Sequence, residues 1–235
     1  VDYAMLEYCI REDLKMKKPR MMAVLDPIKL VIDNYPEGQT EELEVDNNME
    51  NPELGKRVVP FGREVYIERD DFMEEPPKKY RRLYPGNEVR LMNAYFVTCT
   101  GFEKDEDGKV TVVHCTYDPE SRGGNSPDGR KVRGTIHWVS AADAVKAQVR
   151  LYENIIDEEK GVYNEDGSLN LNPNSLTVLD NCYVEPSLLK AEKYDSFQFV
   201  RNGFFCVDAK DSTSEHPVFN RIVSLKSSYK LPTQA

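Results

Sequence analysis

The sequence has few of the residues that most often build metal centres and redox sites. Its 235 residues include only three histidines and five cysteines. His114, His137 and His216 are not spaced as ligands of one metal ion, and no two cysteines form a C-x-x-C pair. A zinc site is therefore not expected. The odd number of widely separated cysteines instead indicates free, buried thiols in a reducing cytoplasm.

Motifs for enzymatic chemistry and for membrane insertion are missing as well. No phosphate loop, dinucleotide-binding glycine pattern, G-x-S-x-G elbow or H-E-x-x-H helix occurs, and no nucleophile stands with a base and an orienting group. We therefore predict no catalytic residues. No run approaches the roughly 18 apolar residues of a membrane span, and residues 1–18 mix charged with apolar side chains. The chain is expected to be cytoplasmic, neither anchored nor secreted.

What the sequence does have is typical of a folded, strongly acidic protein. Hydrophobic residues make up 40 % of the chain, charged residues 31 %, and the net charge is -10. The length fits one large domain or two small ones. A sequence pI near 5.0 argues against unspecific coating of nucleic acid but leaves room for a local basic groove.

Alternation of apolar and polar residues predicts a mainly β fold. In residues 28–33, Ile28, Leu30 and Ile32 share one face, which is the period of a strand. Many short strands separated by turns favour barrels or sandwiches. Further strands are predicted at 64–68, 88–92, 94–103, 109–117, 135–140, 147–153, 196–208 and 219–225.

Helical signals are confined to three places. Leu6, Ile10 and Leu14 recur at helical spacing within residues 1–15, and Pro19 ends the pattern. Short helices are also predicted after Ser140, a possible N-cap, and at Pro186. Residues 38–56 and 157–175 are acidic or rich in Asn, Asp and Gly, so both are expected to be exposed loops. The single tryptophan, Trp138, is expected in the core.

Positive charge is concentrated in one stretch, residues 76–95. It holds five cationic side chains and one acid, Glu88, beside Tyr80 and Tyr84. Cations for phosphates, guanidinium groups for base edges and flat rings for stacking are what unpaired RNA bases require. An ordinary solvated basic face that balances nearby acids is the alternative on composition alone.

Long irregular motifs decide between these interpretations, and they cover most of residues 1–228. Together they resemble the C-terminal anticodon-binding part of the glutaminyl-tRNA synthetases. The motifs are PRMMAVLDPIKLVIDNYPEG, ELGKRVVPFGREVYIERDDFMEEPPKKYRRLYPGNEVRLMNAY, CTYDPESRGGNSPDGRKVRGTIHWVS and HPVFNRIVSL.

This resemblance implies two β-barrels, proximal and distal, each like the barrel of a ribosomal RNA-binding protein, with a short N-terminal helical connector. Residues 1–19 would end the connector from an absent catalytic half. Residues 20–75 and 165–228 would form the proximal barrel, residues 76–164 the distal barrel, and residues 229–235 a tail. The fragment would be inactive alone, with no cofactor or metal of its own.

Family positions that read the anticodon have counterparts here. Arg20, Gln198 and Arg201 resemble the group that reads the central base, a uridine. Arg82 resembles the residue that reads the third base, with Lys79 and Arg81 nearby for base or phosphate. Arg90 resembles a contact to the first base. Two positions depart from the pattern, because Lys79 replaces an amide found in some members and Met92 replaces a second arginine.

The resemblance also implies the partners and the activity of the complete protein. The partners would be the anticodon loop of tRNA(Gln) and the catalytic half of the same chain, in a monomer without membrane contact. The complete enzyme would use ATP with Mg²⁺ to join glutamine to tRNA(Gln). Two alternatives stay open: the matching part of a related glutamyl-tRNA synthetase, and a free-standing ribosomal-RNA-binding barrel protein.

Overall fold

The computed structural model describes residues 3–226, except for the side chain of residue 158. It confirms the predicted mainly β fold with one N-terminal helix. The tail expected at 229–235 lies outside the described residues. In chain order the elements are α1 (Tyr3–Lys17), β1 (Arg20–Met21), β2 (Ala23–Val24), β3 (Pro27–Ile32), β4 (Thr40–Asp46), β5 (Lys56–Gly62), β6 (Glu64–Glu68), β7 (Glu88–Leu91), β8 (Phe96–Lys104), β9 (Val110–Tyr117), β10 (Thr135–Ile136), β11 (Val139–Ser140), β12 (Val145–Tyr152), β13 (Leu176–Val184), β14 (Ser196–Phe199), β15 (Gly203–Val207) and β16 (Val218–Ser224). Short 3₁₀ helices span Pro52–Leu54, Arg69–Asp71, Pro119–Ser121, Glu158–Lys160 and Pro186–Lys190.

Two seven-stranded sheets form the body, and each closes on itself. One runs β1-β14-β15-β16-β12-β13-β2, so its two edges are β1 and β2, which only Met22 separates. The other runs β10-β7-β8-β9-β3-β6-β11, and only His137 and Trp138 separate its edges. A short segment thus pairs at both edges of each sheet, which leaves a barrel without free strand edges.

We call the first sheet the split barrel, because it takes residues 20–24 and 145–224, and the second the continuous barrel, because it lies within residues 27–140. This strand pairing differs from the expected domain boundaries. β3 and β6 pair with each other, and β3 also pairs with β9, which had been expected in the other barrel. The parallel pairing of β3 with β9 joins residues far apart in sequence, and alternation within one strand carries no information about such a partner.

The structure corrects three local predictions. Residues 40–62, partly expected as a loop, form the antiparallel hairpin β4–β5, which buries Leu43 and Val45. The segment after Ser140 makes one turn and enters β12, so no helix forms there. β13 was not predicted, whereas the helix expected at Pro186 is present as a 3₁₀ helix.

Each barrel has its own core. In the continuous barrel Trp138 is fully buried, as predicted; its indole N–H donates to the carbonyl oxygen of Met92 at 2.9 Å. The ring of Phe61 meets it edge-on, with centroids 5.1 Å apart. In the split barrel Phe199 packs against Phe205 and Phe219. Of the cysteines expected to be buried, Cys99, Cys115 and Cys182 are, while Cys206 is half-buried and Cys9 is exposed; all five are free thiols.

His114 should make stability depend on pH. Its Nδ1 lies 2.9 Å from Asp33 Oδ1 and its Nε2 lies 3.1 Å from Glu103 Oε1, and the bond to Asp33 raises the pKa of His114. A raised folded-state pKa gives stability that is complete below the unfolded value of about 6.5 and is lost as pH rises through the folded value. We expect His114→Gln to cost more free energy of unfolding at pH 5.5 than at pH 8.5, by at most about 1 kcal/mol because the groups are partly exposed. Urea denaturation at both pH values measures this; an equal cost at both would contradict it.

Candidate nucleic-acid interface

The basic loop, residues 76–87, is a well-anchored surface segment. Leu83 is fully buried, its N–H donates to the carbonyl oxygen of Asp71, and its own carbonyl accepts from the N–H of Met73. The side-chain amide of Asn87 donates to the carbonyl oxygen of Arg82 at 2.7 Å. Anchoring through Leu83 and Asn87 fixes the backbone of the loop while its charged side chains stay at the surface.

Gly134 holds the other side of this loop. It has φ of +98°, and a Cβ atom there would lie 1.9 Å from the carbonyl oxygen of Arg81. Its own carbonyl accepts from the N–H of Arg90, so the segment before β10 is fixed between the loop and β7. Only glycine allows this approach.

Several cations on both sides of this contact are exposed and have no ion pair or side-chain hydrogen bond among the described residues. They contrast with Arg130, which binds Glu88, Asp118 and Asp128. The contact of Gly134 with Arg81 places the exposed cations of the basic loop beside those of the segment that precedes β10, and we call the combined surface the basic strip. The strip consists of Lys78, Lys79, Arg81, Lys131 and Arg133.

Arg82 and Arg201 meet at one carboxylate. Arg201 makes two parallel bonds to Asp71, from Nη1 to Oδ2 at 2.6 Å and from Nη2 to Oδ1 at 2.7 Å. Nη1 of Arg82 donates to Oδ1 at 3.2 Å, and its guanidinium lies 4.8 Å from the ring centre of Tyr80. The hydrogen bonds from Arg201 to Asp71 raise the pKa of Arg201, and burial raises the pKa of Tyr80 to about 12. Arg201 and Tyr80 therefore keep their protons at neutral pH. Residues from both barrels thus form a small recess of about 200 Å³.

His137 and Glu68 also line this recess and connect the two barrels through hydrogen bonds. Nη1 of Arg201 lies 3.2 Å from Nδ1 of His137 and can only donate, so Nδ1 accepts, and Nε2 of His137 donates to Oε1 of Glu68 at 3.2 Å. Burial favours the neutral form of Glu68, but the hydrogen bonds from His137 and from the N–H groups of Leu25 and Asp26 outweigh it, and its pKa is lowered. Glu68 therefore stays ionised and fixes the position of β2 relative to β6.

Arg20 and Gln198 lie in a separate cleft. They are paired residues of the parallel strands β1 and β14, and together with Arg11 and Lys15 of α1 they line a space of about 380 Å³. Nη2 of Arg20 lies 3.1 Å from Oε2 of Glu50, whereas its buried Nε has no partner in the described part of the chain. A buried donor without a partner is unfavourable.

Arg90 is engaged within the fold. Its Nε donates to the carbonyl oxygen of Gly124, its Nη1 donates to Thr135 at 3.1 Å, and its guanidinium lies 5.2 Å from the ring centre of Phe96. These contacts give Arg90 a structural role in β7 beside any contact to RNA.

Two segments of the chain match known protein families. Residues 18–118 and residues 135–208 each match a family described as tRNA synthetases class I (E and Q), anti-codon binding domain. The two matches together cover most of the chain and include every residue discussed above as a possible RNA contact except those of α1 and the segment 119–134. The chain belongs to this family of anticodon-binding domains.

Similar curated proteins include glutamine–tRNA ligases. That of Clostridium kluyveri is 53 % identical over 99 % of this chain, that of Clostridium perfringens 54 % over 98 %, and that of Vibrio vulnificus 51 % over 97 %. The chain spans only 41–42 % of the length of these relatives. More than half of the length of each relative therefore has no counterpart in the 235 residues.

The anticodon-binding domain brings the predicted residues together in three groups. Arg82 and Arg201 share Asp71, Arg20 and Gln198 share the cleft beside α1, and Lys79 and Arg81 lie in the basic strip. Sequence reasoning missed Asp71, Lys131 and Arg133. The spacing in R-K-V-R-G places Lys131 and Arg133 on one side of an extended segment, and this signal could have identified them.

Among residues 3–226, no group of three or more His, Cys, Asp or Glu side chains could hold a metal ion. No helix in the same range is long and apolar enough to cross a membrane.

Proposed function

We propose that this chain is the anticodon-recognising part of a cytoplasmic glutamine–tRNA ligase that binds tRNA(Gln). The complete enzyme would convert ATP, L-glutamine and tRNA(Gln) to glutaminyl-tRNA(Gln), AMP and diphosphate, with Mg²⁺ accompanying ATP. The fragment alone would bind the anticodon loop without aminoacylating it. The observation that carries the proposal is the meeting of Arg82 and Arg201 at one recess beside a strip of unpaired cations on an acidic chain.

Each predicted contact has a proposed role. Arg20, Gln198 and Arg201 read the central uridine, and Arg82 reads the third base. Lys79 and Arg81 hold base or phosphate, and Arg90 contacts the first base. Arginine suits these roles because its planar group donates two parallel hydrogen bonds to one base edge, and Tyr80 offers a ring for stacking. The acidic remainder of the surface disfavours RNA elsewhere.

Helix α1 supports the proposed partnership with a catalytic half. Its side chains Tyr3, Met5 and Leu6 are about half exposed, at 54 %, 45 % and 47 %. The helix is held to the split barrel by Arg11, whose Nε donates to the carbonyl oxygen of Ser224. Exposed apolar side chains on this helix suit packing against another domain, so we assign α1 as the connector, in a monomeric enzyme.

Binding of the 235-residue chain to synthetic anticodon stem-loops tests the function. We expect glutamine stem-loops to bind more tightly than glutamate ones, and the preference to vanish when the central uridine is replaced. Equal affinity for both kinds of loop, or for an unrelated hairpin, would contradict the proposal. Preference for the glutamate loops would favour the glutamyl alternative, and preference for a ribosomal-RNA hairpin would favour the free-standing barrel protein.

Arg82→Gln should weaken binding selectively. Loss of a bidentate base contact costs about 1–3 kcal/mol, so affinity for the cognate loop should fall by about 5- to 150-fold and the preference at the third base should relax. Fluorescence anisotropy with loops that differ at the third base measures both effects.

Arg133→Gln is the matched control, because the same substitution then removes an exposed cation of the basic strip. It should weaken all loops by a similar factor and lower the slope of log affinity against log salt by about one. Unchanged third-base preference in Arg82→Gln would remove Arg82 from the reading group.

A further inference from the structure

Asp71 is buried more completely than any base-reading residue assigned above. Its side chain is 1 % exposed, whereas those of Arg82 and Arg201 are 38 % and 31 % exposed. It ends the 3₁₀ helix Arg69–Asp71, and its carbonyl oxygen accepts from the N–H of Leu83. A nucleobase that reaches the two guanidinium groups therefore has no access to the carboxylate beneath them.

The two arginines reach Asp71 from different barrels. Arg82 belongs to the basic loop of the continuous barrel, and Arg201 lies in the turn between β14 and β15 of the split barrel. Oδ1 of Asp71 accepts from both guanidinium groups, at 3.2 Å and 2.7 Å, so one oxygen atom fixes their separation.

Other parts of the fold keep Arg201 aimed at this carboxylate. Its backbone is in the left-handed region, with φ of +66°, which a non-glycine residue adopts at a cost of about 1–2 kcal/mol unless its surroundings hold it there. Its third acceptor is Nδ1 of His137 at 3.2 Å. The turn, the histidine and the carboxylate leave the guanidinium one orientation.

We propose that Asp71 is a positioning residue that sets specificity at two neighbouring anticodon bases without touching either. This inference rests on the proposed function, in which Arg201 reads the central base and Arg82 the third. Because one buried charge holds both guanidinium groups, loss of that charge loosens both readers together. A buried carboxylate with three charge-assisted bonds is strong enough for this role.

The test compares, for each variant, the ratio of its affinity for the cognate loop to its affinity for a changed loop. Affinity alone is not sufficient, because a purely structural defect weakens binding of all RNAs equally. Four RNAs are used: the cognate stem-loop, one loop with a changed central base, one with a changed third base, and an unrelated hairpin. In Asp71→Asn both ratios of cognate to changed loop should fall at least fivefold, while affinity for the unrelated hairpin is kept or increases as one negative charge is lost. Asp107→Asn is the matched control, since Asp107 is exposed, lies away from the recess and has no ion pair or side-chain hydrogen bond in the described residues. Its ratios should stay within twofold of those of the unaltered chain.

Asp71→Glu provides a second variant that keeps the charge and displaces the carboxylate by one methylene. It should also lower both ratios, and thermal unfolding verifies that each variant is folded. The inference is overturned if the ratios of folded Asp71 variants stay within twofold of the unaltered chain, if only one ratio falls, or if all four RNAs weaken by the same factor. Failure of the proposed function looks different, because the unaltered chain would then show no discrimination, and the role of Asp71 would fall with it.

Discussion

Replacement of Trp138 by alanine is expected to lower the free energy of unfolding by about 3–5 kcal/mol. The ring is fully buried, packs edge-on against Phe61 and donates its only N–H to Met92. It also stands between β10 and β11, the two strands that close the continuous barrel. Alanine therefore leaves a large cavity and an unpaired carbonyl group at the point of closure. Urea denaturation of the two proteins measures the loss.

Trp138→Phe distinguishes the contribution of ring packing to stability from that of the hydrogen bond to Met92. Phenylalanine keeps most of the packing but leaves the carbonyl oxygen of Met92 without its donor, which costs about 1–3 kcal/mol. Its free energy of unfolding should lie between those of the unaltered chain and Trp138→Ala. A loss below about 1 kcal/mol in Trp138→Ala would show that this ring does not hold the barrel closed.

Replacement of Gly134 by alanine should reduce binding of the anticodon stem-loop at least tenfold. The new methyl group would lie 1.9 Å from the carbonyl oxygen of Arg81, so the basic loop must move away from β10. The overlap costs about 1–3 kcal/mol in addition to backbone strain of about 1–2 kcal/mol at φ of +98°. Anisotropy with the stem-loop and urea denaturation measure the two effects separately.

Gly108→Ala is the matched control for that substitution. Gly108 also has a positive φ, of +78°, but a Cβ atom there would meet nothing within 4 Å. It should show only the strain, of about 1–2 kcal/mol, with stem-loop affinity unchanged. If both variants bind RNA as well as the unaltered chain, the position of the basic loop does not matter for binding.

Strands with strict alternation could be predicted from the sequence almost to the residue. β3 and β6 lie where Ile28, Leu30 and Ile32 and the E-V-Y-I-E segment indicated them. β4 was missed because four acids in T-E-E-L-E-V-D gave the segment the composition of a loop, although Leu43 and Val45 are buried. β13 was missed because its first half is exposed on both faces, so no alternation marks it.

The candidate site, like the strands, could be predicted from the sequence only in part. The stretch 76–95, with five cations and one acid, stands out in an acidic chain, and two of the predicted arginines, Arg82 and Arg201, meet at one carboxylate. Asp71 is one of 41 acids, and nothing in its neighbourhood distinguishes it. Its importance arises only when a turn 130 residues later brings Arg201 to it, and such long-range pairings are not encoded in any local pattern.

The way each barrel closes also sets the order in which the chain can fold. The continuous barrel needs only residues 27–140, so it can form before the later strands have left the ribosome. Residues 20–24 pair with Gln198 and Phe199 on one side and with Tyr183 and Val184 on the other. Made early, β1 and β2 must stay unpaired throughout the synthesis of more than a hundred and fifty further residues. The first strands of the chain are therefore among the last to find their partners.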